Sequence, residues 1–182
     1  MNFKPLSLKY TLVGLLMLIS LSVSAQKKEQ TRIDSLLKQL PPAKEDTNKA
    51  NLLINLGRTY STLKKADSAV YYLQRARLLA EKLPWQKGVA RLYYYLGDHY
   101  YSQTDYVKAQ NYLKEATELS FKIGDYQFAF KSVSYLAGAI YAQKKGSAVI
   151  SYLLPAAGRF KKKQPDGTTD KYVCADRELQ PA

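Results

Sequence analysis

Histidine occurs once in this chain, at His99, and cysteine once, at Cys174. A lone histidine cannot assemble a metal site, and neither a second histidine nor a cysteine stands at ligand spacing from it. Asp98 precedes His99, but no further catalytic group is visible near the pair. Asp105 and Asp125 sit in polar turn-like contexts, where a carboxylate caps a helix. No Gly-rich phosphate loop, no Gly-x-Ser-x-Gly turn and no paired carboxylates in apolar surroundings occur. A non-enzyme with no catalytic, metal or cofactor residues is therefore expected. One thiol cannot form an internal disulfide, so Cys174 is either a free or intermolecular thiol or an incidental one, and the fold must stand on helix packing.

The chain has 182 residues and a formal net charge of +13. That length suits one domain with a targeting segment, and a hydrophobic content of 46% is enough for a packed core. The first 25 residues stand apart. Lys4 and Lys9 precede an acid-free apolar run from Thr11 to Val23, and Val23-Ser24-Ala25 supplies small residues for cleavage before Gln26. This is the layout of a secretory signal peptide, and an exported, periplasmic or envelope-associated protein is expected. An uncleaved anchor is the rival, but about 13 helical residues rise only about 20 Å against a hydrocarbon core of roughly 30 Å. Membrane contact is thus expected only if that segment stays attached. Lys4 and Lys9 account for two of 28 basic residues, and the acids number 15, so the remainder keeps an excess of 11. The excess is spread, and Lys161-Lys162-Lys163 is its only block. Nucleic-acid binders concentrate charge on one face or arm, so acidic protein partners or anionic envelope surfaces fit better than nucleic acid.

The elements that would position any binding residue are helices in pairs. After a polar stretch at 26–31 that is expected to fray, Ile33, Leu36, Leu37 and Leu40 fall at helical spacing over 32–40, and Pro41-Pro42 stops that helix. Asp46 or Thr47 then offers an N-cap. Helices are expected over about 47–63, 67–83, 87–103, 106–123 and 127–143, with a less regular one from near Ser147. Aligning 51–90 on 91–130 gives identity at Leu52, Leu56, Gly57, Tyr60, Ala69, Tyr72, Leu73, Ala76, Leu79 and Lys82 with the residues forty on. Mid-helix glycine costs about 0.5–1 kcal/mol against alanine, so Gly57 and Gly97 in register imply a packing reason. The missing side chain would let the second helix of each pair approach. Tyr60 and Tyr100 are expected to fill the gap between neighbouring hairpins. The run Tyr93-Tyr94-Tyr95 points too widely around a helix to be buried in one interface, so at least one ring should be exposed. Trp85, after Pro84, is expected as a lid over the core between repeats, with a convex-side contact as the other reading.

The pattern of a large residue, Leu-Gly, Tyr, then Ala, Leu and Ala on the second helix resembles the tetratricopeptide repeat. It covers residues 50–83 and 90–123, and more loosely 130–163 through Leu136, Ala137, Ile140, Val149, Leu153 and Ala156. The period is forty residues instead of the family's usual 34 or so, and the family's helix-ending proline is absent from both clear copies. The resemblance implies an all-α superhelical solenoid of about three helix pairs, spanning 47–85, 86–125 and 126–163, after a helix and linker over 26–46. It also implies a concave groove lined by first helices, here Asn51, Ile54, Arg58 and Ser61, then Arg91, Tyr94, Asp98 and Tyr101, then Lys131, Ser134 and Tyr141. Such a set of cations and tyrosines would suit a protein or peptide of acidic character. The family's carboxylate-gripping Lys and Asn are not matched, since Ile54 and Arg58 hold those places.

The third copy has a fault. Pro155 falls inside its second helix and Gly158 follows, so the helix should kink or stop near Leu154. Residues 164–182 form a polar tail without apolar periodicity, expected to be disordered unless the chain is the front of something longer. An exported, non-catalytic protein-binding scaffold is the reading favoured. The alternative rests on the signal segment, Ile33 to Leu37, and Asp46-Thr47 opening the repeats. These resemble the outward-facing front of bacterial sensor kinases and regulators that carry such repeats, here without an output domain.

Overall fold

The computed structural model describes residue 17 and residues 26–143 and 146–162, with the backbone alone for residues 147, 161 and 162. The signal segment (Met17 apart), the tail over 164–182 and Cys174 lie outside the described residues. Among the described residues there are helices and no strands. Residues 26–39 form α1, followed by α2 (Thr47–Thr62), α3 (Ala66–Ala80), α4 (Gln86–Ser102), α5 (Tyr106–Lys122), α6 (Tyr126–Ala142) and α7 (Gly146–Lys162). The chain divides into two compact units, Met1–Pro84 and Trp85–Ala182.

In the first unit, the helix begins earlier than its apolar spacing suggests. The polar residues at 26–31 are helical because they bond along the turn: Gln30 Nε2 donates to Asp34 Oδ1 at 3.0 Å and Thr31 Oγ1 to the Lys27 carbonyl at 3.0 Å. Asp46 caps α2, accepting from the amides of Asn48 and Lys49. The α2–α3 pair closes where Gly57 has no side chain. A β-carbon there would stand 2.5 Å from Cγ of Leu73 and 3.1 Å from the Ala69 carbonyl oxygen. Leu53, Leu56, Ala69, Leu73 and Ala76 are buried around that contact.

The second unit repeats the device. Asp105 and Asp125 cap α5 and α6 through the amides of Lys108 and Phe128. Gly97 receives Leu113 as Gly57 receives Leu73. Lys64 and Thr104, forty residues apart, both take positive φ just after their first helices. The following amides, of Lys65 and Asp105, bond back to the carbonyls of Tyr60 and Tyr100 at 3.0 Å, which satisfies helix-end acceptors.

Three further expectations are corrected. Tyr60 stacks on Tyr72 (centroids 5.4 Å apart, planes 2° from parallel) and Tyr100 on Tyr112 (5.6 Å, 3°), so each tyrosine pairs within its own hairpin. Tyr94 is buried, while Tyr93 and Tyr95 are each half-buried, so no ring of that run is fully exposed. Helix α7 continues through Pro155 to Lys162. Proline leaves the Ser151 carbonyl without its helical donor, but both residues are exposed, where water can take that acceptor up. Trp85 precedes α4, and its indole lies against Gly88, where a β-carbon would collide with the ring.

The third hairpin packs less closely. Position 137 carries Ala where 57 and 97 carry Gly, and Leu153 is 40% exposed where Leu73 and Leu113 are 0% exposed.

Candidate binding face on the first helices

Four of the expected residues lie along α4 at 91, 94, 98 and 101, a spacing that keeps them on one helix face. They meet α6 at Phe128, Tyr135 and Gly138, which share a face with Lys131 for the same reason. The Tyr94 ring makes edge contacts with Phe128 (5.5 Å) and Tyr135 (5.6 Å). Tyr101 packs against Tyr135 at 5.5 Å and Tyr106 at 5.5 Å. A β-carbon at Gly138 would lie 3.0 Å from the Tyr101 hydroxyl oxygen, so glycine leaves room for that ring.

A hydroxyl relay runs through this layer. Tyr135 is hydrogen-bonded to both Asp98 and Tyr94. The carboxylate can only accept, so Tyr135 donates to Asp98 and accepts from Tyr94. Burial, followed by the Tyr135 and Asp98 interactions, pushes the Tyr94 hydroxyl far above its usual range. Burial and then the charge of Asp98 raise Tyr135 as well. Asp98 is therefore engaged by the protein itself.

The cations gather at one end of this face. The Arg91 guanidinium carbon stands 4.9 Å from the Phe128 ring centroid, and Lys131 Nζ stands 5.6 Å from the same ring. Arg91 also approaches Asp125 at 3.9 Å, a loose pair at the start of α6. Phe128 thus carries two positive groups, an arrangement favoured by the ring's negative face.

Other expected positions are placed differently. Tyr94 is 9% exposed and belongs to the unit's core, so it shapes the face from beneath. Ser134 is exposed and donates to the Phe130 carbonyl, and Tyr141 is exposed near the end of α6. In the first unit Asn51 and Arg58 are exposed on α2, Ser61 is half-buried and Ile54 is buried. Phe128, Tyr135 and Gly138 escaped the sequence reading. Tyr135 had a signal, since it lies forty residues after Tyr95, but Phe128 and Gly138 have no counterparts of their kind. His99 is buried at 4% exposure, and burial lowers its pKa. Among the described residues no group of His, Cys, Asp or Glu could hold a metal ion, and no helix is long and apolar enough to cross a membrane.

Residues 46–120 match the family model of the tetratricopeptide repeat. The crystal structure of BtubC (BKLC) from P. vanneervenii superposes with a TM-score of 0.59 at 20% identity, covering 67% of this chain. The chain spans about half of that protein, 50% of its length. No curated protein matches the sequence.

Proposed function

We infer that this chain works through its fold, an all-α, tetratricopeptide-like helical repeat, since repeats of this kind commonly mediate protein–protein interaction. From that premise we propose that it is a non-catalytic scaffold, exported to the periplasm or envelope, which holds an acidic protein segment on the α4–α6 face. The observation that carries this reading is the double cation at Phe128. Arg91 and Lys131 both address that ring, while Asp98 is bound to Tyr135 and Asp125 approaches Arg91 only loosely, at 3.9 Å. A carboxylate arriving at Phe128 meets two cations beside an aromatic wall, and the guanidinium can grip it through two parallel donors. Tyr101 and Tyr135 extend the wall as rigid contact area at low entropic cost.

Fluorescence anisotropy with a labelled, unstructured decapeptide of alternating glutamate and serine, beside its lysine–serine twin, tests the reading on the full chain. The glutamate peptide should bind and the twin should not. Arg91→Glu with Lys131→Glu should weaken binding at least about tenfold with the far-ultraviolet dichroism unchanged. Equal binding of both peptides, or full retention by the folded double variant, would overturn it.

A further inference from the structure

We infer that Asp125 sets the charge selectivity of the α4–α6 face, so that the site at Phe128 takes a carboxylate in preference to a phosphate ester, a selectivity that rests on the proposed acidic-segment reading. Asp125 is fixed at the start of α6 by three hydrogen bonds. Its amide donates to the Ser120 carbonyl at 2.9 Å, and its carbonyl accepts from the Ala129 amide at 2.9 Å. Its Oδ1 accepts from the Phe128 amide at 3.3 Å as the cap of the helix. Only 15% of the side chain is exposed.

Arg91 is held beside this carboxylate without closing onto it. Arg91 Nη2 and Asp125 Oδ2 stand 3.9 Å apart, longer than a hydrogen bond, and Arg91 Nε is buried with no hydrogen-bond partner among the described residues. The guanidinium lies against Phe128, 4.9 Å from the ring centroid, and Lys131 Nζ addresses the same ring at 5.6 Å. Two cations and one acid leave the cluster an excess of one positive charge. The repeat register shows that ring and acid enter together. Arg91 and Lys131 are counterparts forty residues apart, whereas Trp85 stands forty before Asp125 and Gly88 forty before Phe128.

A fixed acid beside two cations discriminates by charge. A carboxylate brings one negative charge to Phe128, and a phosphate ester brings about two at pH 7. Repulsion from Asp125 grows in proportion to the charge that arrives, and the dianion also gives up more hydration on entering. One carboxylate matches the excess of one, whereas a phosphate ester would need both cations without the acid between them. Asp98 lies seven residues, about 10 Å, further along α4 and is the weaker influence at Phe128.

Fluorescence anisotropy on the full chain tests this with two labelled decapeptides of alternating glutamate and serine. They are identical except at one central acid, which is glutamate in the first and phosphoserine in the second. The natural chain should bind the glutamate peptide more tightly. Asp125→Asn and Asp125→Ser each remove the charge and keep a residue that caps a helix, so the far-ultraviolet dichroism should not change. Both variants should bind both peptides more tightly, with the ratio of dissociation constants shifted at least about threefold toward phosphoserine. A ratio that both variants leave unchanged would overturn the selectivity, as would a natural chain that prefers phosphoserine. Weaker binding of both peptides by both variants would also overturn it, and would make Asp125 a positioning residue for Arg91. Where the glutamate peptide binds and Arg91→Glu with Lys131→Glu releases it, any of these results sinks the selectivity alone. If no folded form binds either peptide, the acidic-segment reading fails and the selectivity fails with it.

Discussion

Leu113 lies where a side chain on Gly97 would have to be: a β-carbon at Gly97 would stand 2.5 Å from Leu113 Cγ and 3.3 Å from the Leu113 amide nitrogen. Leu73 and Gly57 stand in the same relationship forty residues earlier, at 2.5 Å. The glycine is thus a spacing element between two helices, and its helical cost is offset by closer burial of leucine.

Gly97→Ala should therefore destabilise the protein even though alanine is the better helix former by about 1 kcal/mol. Overpacking of this kind costs typically about 1–3 kcal/mol. At the third-copy position the sign of the local argument reverses. Ala137 already carries a β-carbon, so Ala137→Gly should lose about 0.5–1 kcal/mol through backbone entropy alone. Urea midpoints for both variants check this, and a gain in stability for Gly97→Ala would refute the close approach. Leu113→Ala in the same background should reduce the Gly97→Ala penalty, because residues in contact couple.

The stacked pair Tyr100–Tyr112 gives a second test. Parallel rings 5.6 Å apart within one hairpin, and 5.4 Å apart at Tyr60–Tyr72, are expected to couple by about 0.5–1.5 kcal/mol beyond their burial. A double-mutant cycle with Tyr100→Leu and Tyr112→Leu should return that coupling, and additive losses would mean the stacking carries no energy of its own. Lys108, whose Nζ lies 5.1 Å from the Tyr100 ring, remains in every member of the cycle.

Burial lowers the pKa of His99 below its ordinary 6.5. The unfolded chain takes up a proton near pH 6.5 while the native chain still refuses it, so the unfolded state binds more protons in that window. Stability is then complete above about pH 6.5, falls as the pH drops, and levels once the native histidine also protonates. Thermal midpoints between pH 8 and pH 5 should decline for the natural chain and decline less for His99→Gln. A midpoint that rises on acidification would show that the folded imidazole prefers its charged form.

What could be read from sequence follows from which signals are local or repeated. Gly57 and Gly97 were legible because the same costly residue recurs in register, and the caps at Asp46, Asp105 and Asp125 because side-chain-to-amide bonds span only two or three residues. The matched tyrosines at 60, 72, 100 and 112 were legible as repeated, but their pairing within a hairpin depends on the rotation of one helix about its axis. The α4–α6 face was half legible. Arg91, Asp98, Tyr101 and Lys131 came from the repeat register, while Phe128 and Gly138 occur in one copy and had no register to betray them. Asp98 had the position of a groove acid, but only the fold reveals that Tyr135 holds it.

Pro155 shows a local rule outweighed by its surroundings. The residue removes one helical hydrogen bond and still leaves α7 continuous to Lys162, with Ser151 and Pro155 both exposed. Ala156 beside it is buried in a cluster with Phe121, Ala129 and Val133, and Phe160 one turn on packs against Phe121 at 4.9 Å. Those contacts hold the C-terminal half of α7 in place despite the missing donor. Pro155→Ala restores the amide to the Ser151 carbonyl without touching the cluster, so it should stabilise the helix, by up to about 3 kcal/mol if the full proline penalty is felt. The gain should appear as slower amide exchange over Ser151–Phe160, with the α4–α5 hairpin unchanged. If exchange in α7 does not slow, the proline is not strained in place, and the looseness of this hairpin belongs to Ala137 and its incompletely buried Leu153.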